Sequence, residues 1–338
     1  MENEILEVKN LKTRYYVEEG EIKAVDNCSF RVSKGETLGI AGESGCGKST
    51  LALSVMGLIK PPGTVEGEVI FKGDNLLRKP PEQMRKIRGK EISMVFQDPM
   101  TYLNPIMTLG EQISRIMTTR LSMNEKEAKT RAIELMIQVG IPDPERRFDN
   151  YPHQFSGGMR QRILIAMAIC CNPTILVADE PTTALDVTTE TQIFEVLKNL
   201  QKAYGMTLIL ITHDLGLIAD TCKRVMIMYA GRIVEKSTVL DLYENPLHPY
   251  TRGLLSSIPR IAGKEVERLP VIEGEVPDLI TLPSACNFQP RCSEAIDHCA
   301  DIDPDLYKLE RLREAACIVR AREYGLSINS LSKANTLP

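Results

Sequence analysis

The chain has 338 residues, 43% of them hydrophobic, and its 41 Lys+Arg against 45 Asp+Glu give a formal net charge of −4. At roughly 150 residues per domain, that length predicts about two domains with buried cores and excludes a fibre, a peptide hormone or a disordered tail. The charge gives no basic stripe for nucleic acid, and apolar runs such as Ile163 to Cys171 stop short of the ~18 residues that a membrane helix needs.

Met1 to Glu7 has neither the basic nor the apolar region of a secretory signal, so a cytosolic chain is expected. In a reducing compartment its nine cysteines read as core thiols, metal ligands or reactive groups rather than bridges. Alternating residues (Ile5, Val8, Leu11, then Cys28, Phe30, Val32) predict a small antiparallel sheet, which Gly35 ends before a second strand over Thr37 to Ala41. A Gly-rich turn follows, then helical spacing from Leu51 to Ile59 that stops at Pro61-Pro62-Gly63. Further strands are expected over Glu68 to Lys72 and Ile92 to Phe96.

From Pro99 to Pro152 the spacing is helical. Ser122-Met123-Asn124-Glu125 reads as a capping box, with Ala128, Ala132, Leu135, Met136 and Val139 on one apolar face. This marks a helical subdomain, about 99–172, inserted in an α/β core. Met159 to Cys171 (helix), Thr174 to Ala178 (strand), Phe194 to Tyr204 (helix) and Thr207 to Ile211 (strand) then alternate, as a parallel sheet covered on both faces requires. Beyond about Glu235 the chain becomes Pro-rich, Cys-rich and irregular, which divides it into 1–235 and 236–338.

Gly42-Glu43-Ser44-Gly45-Cys46-Gly47-Lys48-Ser49-Thr50 matches the phosphate-binding pattern G-x-x-x-x-G-K-[ST] in full, between a strand and a helix. Glycines turn backbone N–H groups toward phosphates, Lys48 reaches the β- and γ-phosphates, and Ser49 supplies a Mg²⁺ ligand. The strand Ile175 to Ala178 delivers Asp179 and Glu180 at its C-terminal end. Two adjacent acids divide the labour: Asp179 holds Mg²⁺ through its water shell, and Glu180 polarises the attacking water.

Phe155-Ser156-Gly157-Gly158-Met159-Arg160-Gln161-Arg162 resembles the signature of ATP-binding-cassette ATPases. Phe155 and Met159 depart from the usual Leu-Ser-Gly-Gly-Gln, while Ser156, Gly157 and Gly158 are retained. The resemblance implies a P-loop NTPase fold: a RecA-like parallel sheet with an N-terminal antiparallel β subdomain, an inserted helical subdomain and a small irregular C-terminal extension. It also implies a head-to-tail dimer in which the signature of one subunit meets the nucleotide of the other. It assigns Gln97 to the loop touching Mg²⁺ and the transport partner, Ala184-Leu185-Asp186 to the loop linking the two sites, His213 to the switch near the γ-phosphate, and Tyr15 to adenine stacking, with Tyr16 close behind. Cys46 reads as a small filler, and Cys28, Cys170, Cys171 and Cys222 as thiols without chemistry.

Asn245-Pro246-Leu247-His248-Pro249-Tyr250-Thr251, Leu254-Leu255 and Ile258-Pro259 resemble the extension of oligopeptide and dipeptide importer ATPases, as does Cys286-Asn287-Phe288-Gln289-Pro290-Arg291-Cys292. His248 reads as a ligand, a contact residue or part of a turn. Cys286, Cys292, Cys299 and Cys317 have the spacing C-x₅-C-x₆-C-x₁₇-C, unlike tight ferredoxin or zinc-ribbon runs. The resemblance implies a [4Fe-4S] cluster there, with zinc as second choice; separate buried cysteines are the alternative, above all for Cys317 in the helical-looking Glu314 to Cys317. The expected protein is thus a peripheral ATPase at the cytoplasmic face of the membrane, powering peptide import. Its implied partners are a related second ATPase, two membrane subunits and an external binding protein. The alternatives are import of nickel, glutathione or oligosaccharides, a soluble cassette ATPase of repair or translation, and a small-molecule kinase.

Overall fold

Apolar alternation along the first thirty residues folds as a long antiparallel pair, β1 (Glu4–Val17) and β2 (Gly20–Ser33), in which Leu6 faces Val32, Val8 faces Phe30 and Leu11 faces Cys28. All six are buried. The computed structural model describes residues 4–182, 185–258 and 270–327. Its further strands are β3 (Thr37–Ala41), β4 (Thr64–Phe71), β5 (Asp74–Asn75), β6 (Ile92–Val95), β7 (Ile175–Asp179), β8 (Thr207–Ile211), β9 (Arg224–Tyr229), β10 (Arg232–Thr238), β11 (Tyr307–Glu310) and β12 (Arg313–Ala315). Helices that matter below are α1 (Lys48–Val55), α2 (Leu109–Leu121), α3 (Glu125–Gln138), α4 (Gly157–Ile169), α5 (Val187–Tyr204), α6 (Pro249–Ser256) and α7 (Ile318–Glu323).

The strands form two sheets, of order β2-β1-β4-β5 and β11-β12-β10-β9-β3-β8-β7-β6. In the second, β9, β3, β8, β7 and β6 run parallel, and every residue of β3, β7 and β8 is buried. Continuous apolar strands are what a sheet covered on both faces needs. Because β3, β8, β7 and β6 are parallel neighbours, the residues just past their C-terminal ends come together along one edge. That edge carries the phosphate loop, Thr212-His213, Asp179-Glu180 and Gln97.

Within the helical insertion, Leu109, Ile113 and Met117 of α2 share a core with Ala128, Ala132, Leu135 and Met136 of α3 and Ile163 of α4. The expected capping box at Ser122 is displaced. Ser122 instead ends α2 in the left-handed conformation, and Asn124 caps α3 by accepting from the Glu127 N–H. The reciprocal box belongs to Thr108 and Glu111 at the start of α2. Two core strands, β9 and β10, were missing from the sequence-based expectation.

The C-terminal extension is built onto the same sheet. β12 pairs antiparallel with β10, aligning Glu235 with Ala315 and Lys236 with Glu314, and β11 pairs with β12. Cys317, expected on a helix continuing from Glu314, instead follows β12 and sits at the N-cap of α7. Helical-looking composition lost there to strand pairing with an open sheet edge. Of the readings open for His248, the structure shows a buried contact residue: only 2% of its surface is exposed, and it caps α6 by accepting the Tyr250 N–H on Nδ1.

Burial pushes the His248 imidazole down to about 3, so it is neutral when folded, whereas the unfolded chain would take up a proton near 6.5. The unfolded state then binds more protons below 6.5, and the contribution of this group lowers stability as pH falls from about 6.5 toward 3. His248→Gln keeps an acceptor for Tyr250 and is expected to flatten that acid-side loss. Urea-unfolding midpoints of both chains between pH 7.5 and pH 5 measure it; parallel curves would refute it.

Candidate functional site

Glycine is required in the phosphate loop by space as well as by torsion. A Cβ on Gly42 would stand 2.2 Å from the Met228 carbonyl oxygen, and one on Gly47, whose φ is +103°, 2.1 Å from that of Ala24. The loop can therefore pack directly on β2 and β9. It wraps Lys48, which is 4% exposed and donates from Nζ to the carbonyls of Gly42 at 2.8 Å and Glu43 at 2.9 Å. Cys46 is buried beside it, its thiol raised mainly by burial.

Residues from the neighbouring strand ends converge on this lysine. Ser49 donates its hydroxyl to Asp179 Oδ1 at 3.0 Å, and Glu180 Oε1 lies 3.8 Å from Lys48 Nζ. Gln97 donates from Nε2 to Glu180 Oε2 at 3.2 Å, and His213 Nδ1 lies 3.8 Å from the same oxygen. Asp179 is pushed up to about 6, first by burial, which the Ser49 hydrogen bond opposes, and then by the Glu180 charge. A buried carboxylate in contact with a hydroxyl is a hard-oxygen pair of the kind Mg²⁺ takes. Glu180 adopts φ +42°, unusual for a side-chain-bearing residue, while its N–H bonds the Ile211 carbonyl. The geometry thus turns its carboxylate out of β7 toward the loop.

Ser44, Gly45, Gly47, Lys48, Ser49, Thr50, Gln97 and Glu180 line a cavity of about 180 Å³, with Ala24 and Leu279 as further walls. Leu279 comes from the C-terminal extension and accepts the Lys23 N–H at 3.1 Å. Tyr15 is not among the lining residues. It lies half-buried on β1 against Gly63, where a Cβ would be 2.8 Å from its ring, and Tyr16 is more exposed.

Ser156 caps α4, accepting the Met159 N–H, and both Ser156 and Gly157 are exposed. Gly158 approaches the start of α5 so closely that a Cβ would meet Thr189 Cγ2 at 2.4 Å. Asp186 caps α5 through the Thr189 N–H and hydroxyl, which hold its carboxyl below the usual range. The signature and the Asp186 loop are therefore packed together. Ala184, assigned with them, lies outside the described residues, as does Pro259.

Residues 25–183 match the family model described as ABC transporter, and residues 234–299 match that described as Oligopeptide/dipeptide transporter, C-terminal region. The chain is 49% identical to a probable peptide ABC transporter ATP-binding protein of Sinorhizobium fredii, over 93% of this chain and 94% of that one. The chain belongs to the ABC transporter ATPase family. It is also 46% identical to an oligopeptide transport ATP-binding protein of Bacillus subtilis, over 94% of this chain and 98% of the relative. Among solved structures, a dimeric post-hydrolysis ATP-binding cassette bound to ADP and Pi superposes with a TM-score of 0.63 at 31% identity, covering 69% of this chain and 98% of that one. A Clostridium perfringens cassette from a cbiONQ transporter complex gives 0.61 at 28% identity, over 72% of this chain and 92% of its own. The fold is thus that of an ABC ATPase, as expected.

The four cysteines of the extension lie near one another. Among the described residues, no three His, Cys, Asp or Glu side chains are arranged to hold a metal ion. Cys286 and Cys292 are each pushed up to about 11, and Cys317 to about 12, chiefly by burial. Neighbouring sulfurs add to this: Cys299 and Cys292 act on Cys286, and Cys286 and Cys292 on Cys317. Cys28, Cys46, Cys170, Cys171 and Cys222 are buried free thiols.

Sequence reasoning assigned no role to Arg291 or Tyr250, yet both reach the phosphate loop. Arg291 makes a forked ion pair with the Glu43 carboxylate at 2.8 and 3.1 Å, and the Tyr250 hydroxyl accepts the Glu43 N–H at 2.9 Å. Tyr250 lies in the Asn245–Thr251 segment and Arg291 between Cys286 and Cys292, and only their long-range contacts were invisible in the sequence.

Proposed function

We propose that this chain is the ATP-hydrolysing subunit of a membrane importer for peptides, acting at the cytoplasmic face of the bilayer. The observation that carries the reading is the convergence of Lys48, Ser49, Glu180 and Gln97 on one cavity, with Asp179 bonded to the Ser49 hydroxyl behind it, in a chain whose extension matches the oligopeptide/dipeptide transporter region. Among the described residues no helix is long and apolar enough to cross a membrane, so transport requires partners that do.

In this reading Lys48 exchanges its two loop carbonyls for the β- and γ-phosphates, and backbone N–H groups at the start of α1 complete the cradle. Ser49 and Asp179 would hold the Mg²⁺, which would supply positive charge to the triphosphate. Glu180 orients the attacking water, Gln97 fixes the Glu180 carboxylate and senses the metal and the membrane subunits, and His213 stands beside Glu180 near the γ-phosphate. Tyr15 stacks on adenine. No covalent intermediate is needed, because positioning and electrostatics suffice for attack by water. Gly42, Glu43, Ser44, Gly45, Cys46, Gly47 and Thr50 complete the nucleotide cradle.

Ser156 and Gly157 are exposed, so their hydroxyl and N–H donors are available to the nucleotide of a second cassette. The proposed working unit is a head-to-tail pair with a related ATPase, in which Gly158 completes the signature and Asp186 links the two sites. Two permease subunits and an external binding protein complete the assembly. The test is co-expression with candidate permease subunits and binding protein from the same genome: ATPase activity that copurifies with the permeases and rises with peptide-loaded binding protein is expected, whereas indifference to peptide would refute peptide import.

The [4Fe-4S] cluster, with zinc as second choice, is proposed for Cys286, Cys292, Cys299 and Cys317. Its support is that the sulfurs of Cys292 and Cys299 act on Cys286 and those of Cys286 and Cys292 on Cys317, in a segment with only a small satellite core of Cys299, Ile318 and Ala321. Loading would require the thiols to ionise and rearrange. Iron, sulfide and zinc analysis of protein purified without air decides it; absence of all three would overturn the assignment.

A further inference from the structure

Every polar group of Glu43 except its outer solvent face is committed. Its carbonyl accepts from Lys48 Nζ at 2.9 Å and from the Cys46 N–H at 3.3 Å; its N–H goes to Tyr250 and its carboxylate to Arg291. Phosphate-loop patterns leave this position unspecified, since only its backbone faces the ligand. Here both its remaining handles are gripped by residues more than two hundred positions away.

The grip is rigidly mounted. The Arg291 side chain is 5% exposed and also donates from Nε to the Glu273 carbonyl at 3.1 Å. Its guanidinium lies over the Tyr229 ring, which packs with Tyr250 and Phe288 at centroid distances of 4.7 and 5.1 Å. Arg291 itself belongs to a tight turn in which the Gln289 N–H bonds the Cys286 carbonyl and the Cys292 N–H bonds that of Gln289. Partly buried, forked Arg–carboxylate pairs are directional as well as strong.

We infer that the C-terminal extension is a brace on the phosphate loop, with Arg291 and Tyr250 acting through Glu43 as positioning residues for ATP binding. Holding the peptide at Glu43 keeps the loop open in its phosphate-accepting shape before the nucleotide arrives, so the ordering cost is met by the fold rather than by ATP. The inference rests on the ATPase reading given above and adds a determinant of nucleotide affinity outside the cassette motifs.

The test uses the full chain and measures binding of a non-hydrolysable ATP analogue with Mg²⁺, alongside thermal unfolding. Arg291→Met is expected to weaken binding about tenfold, Tyr250→Phe several-fold, and Arg291→Lys less than Arg291→Met because a single ammonium replaces the fork. In a Glu43→Gln background, Arg291→Met should cost no more than about twofold, since the partner it acts through is already altered. In the assembled ATPase the same variants should raise KM for ATP with kcat within about twofold. Unchanged affinity in Arg291→Met, or a loss of equal size in both backgrounds that tracks the drop in Tm, overturns the brace. A wild-type chain that fails to bind the analogue sinks the ATPase reading instead.

Discussion

Glu180→Gln is expected to bind MgATP with wild-type affinity while its hydrolysis falls by on the order of 10²- to 10⁴-fold, the range for losing a positioned general base. The substitution is nearly isosteric and retains an oxygen that can accept from Gln97, so the 3.2 Å contact at the mouth of the cavity can persist. What disappears, in the proposed role of Glu180, is the anionic oxygen that would turn a water toward the γ-phosphate. The neighbouring acid does not replace it: Asp179 is engaged by Ser49 and lies at the buried end of β7. Phosphate release in single turnover, with nucleotide binding measured on the same sample, checks this. Wild-type turnover would remove Glu180 from catalysis.

Lys48→Ala should be the most damaging change to binding itself, weakening ATP by roughly ten- to a hundredfold through loss of a charge-assisted phosphate contact of ~1.5–3 kcal/mol. The effect has a second source in the free protein. Lys48 Nζ satisfies the carbonyls of Gly42 and Glu43 in a nearly closed environment, and alanine leaves both without that donor. Lys48→Met, which refills much of the volume without the charge, separates the two contributions, since any recovery over alanine reflects packing alone. Titration with MgATP measures both variants, and unchanged affinity in both would contradict the assigned geometry.

The phosphate loop, the Asp179-Glu180 pair and the buried strands were legible because each is a local signal: a fixed spacing of glycines, two acids after an apolar run, a run of four residues without a polar side chain. Ser122 and Cys317 were misplaced because local pattern was outweighed by neighbours. Ser122 has the chemistry of a cap but is consumed by the end of α2, and Glu314 to Cys317 looks helical until the open edge of β10 claims Arg313–Ala315 as a strand. Arg291, Tyr250 and Leu279 were beyond local reading altogether. Their contacts with Glu43 and Lys23 span two hundred residues or more, and nothing in the spacing of Arg291 between two cysteines points at a loop near the N-terminus.

The pairing of β12 onto β10 has a practical corollary. A fragment ending after Thr238 would keep all the nucleotide motifs yet uncover the edge of β10 around Val234 to Lys236, where β12 now pairs, and an open strand edge is the template on which copies of a protein stick to one another. Such a trimmed cassette is expected to self-associate and to precipitate on concentration, so the tail doubles as the molecule's own protection against aggregation.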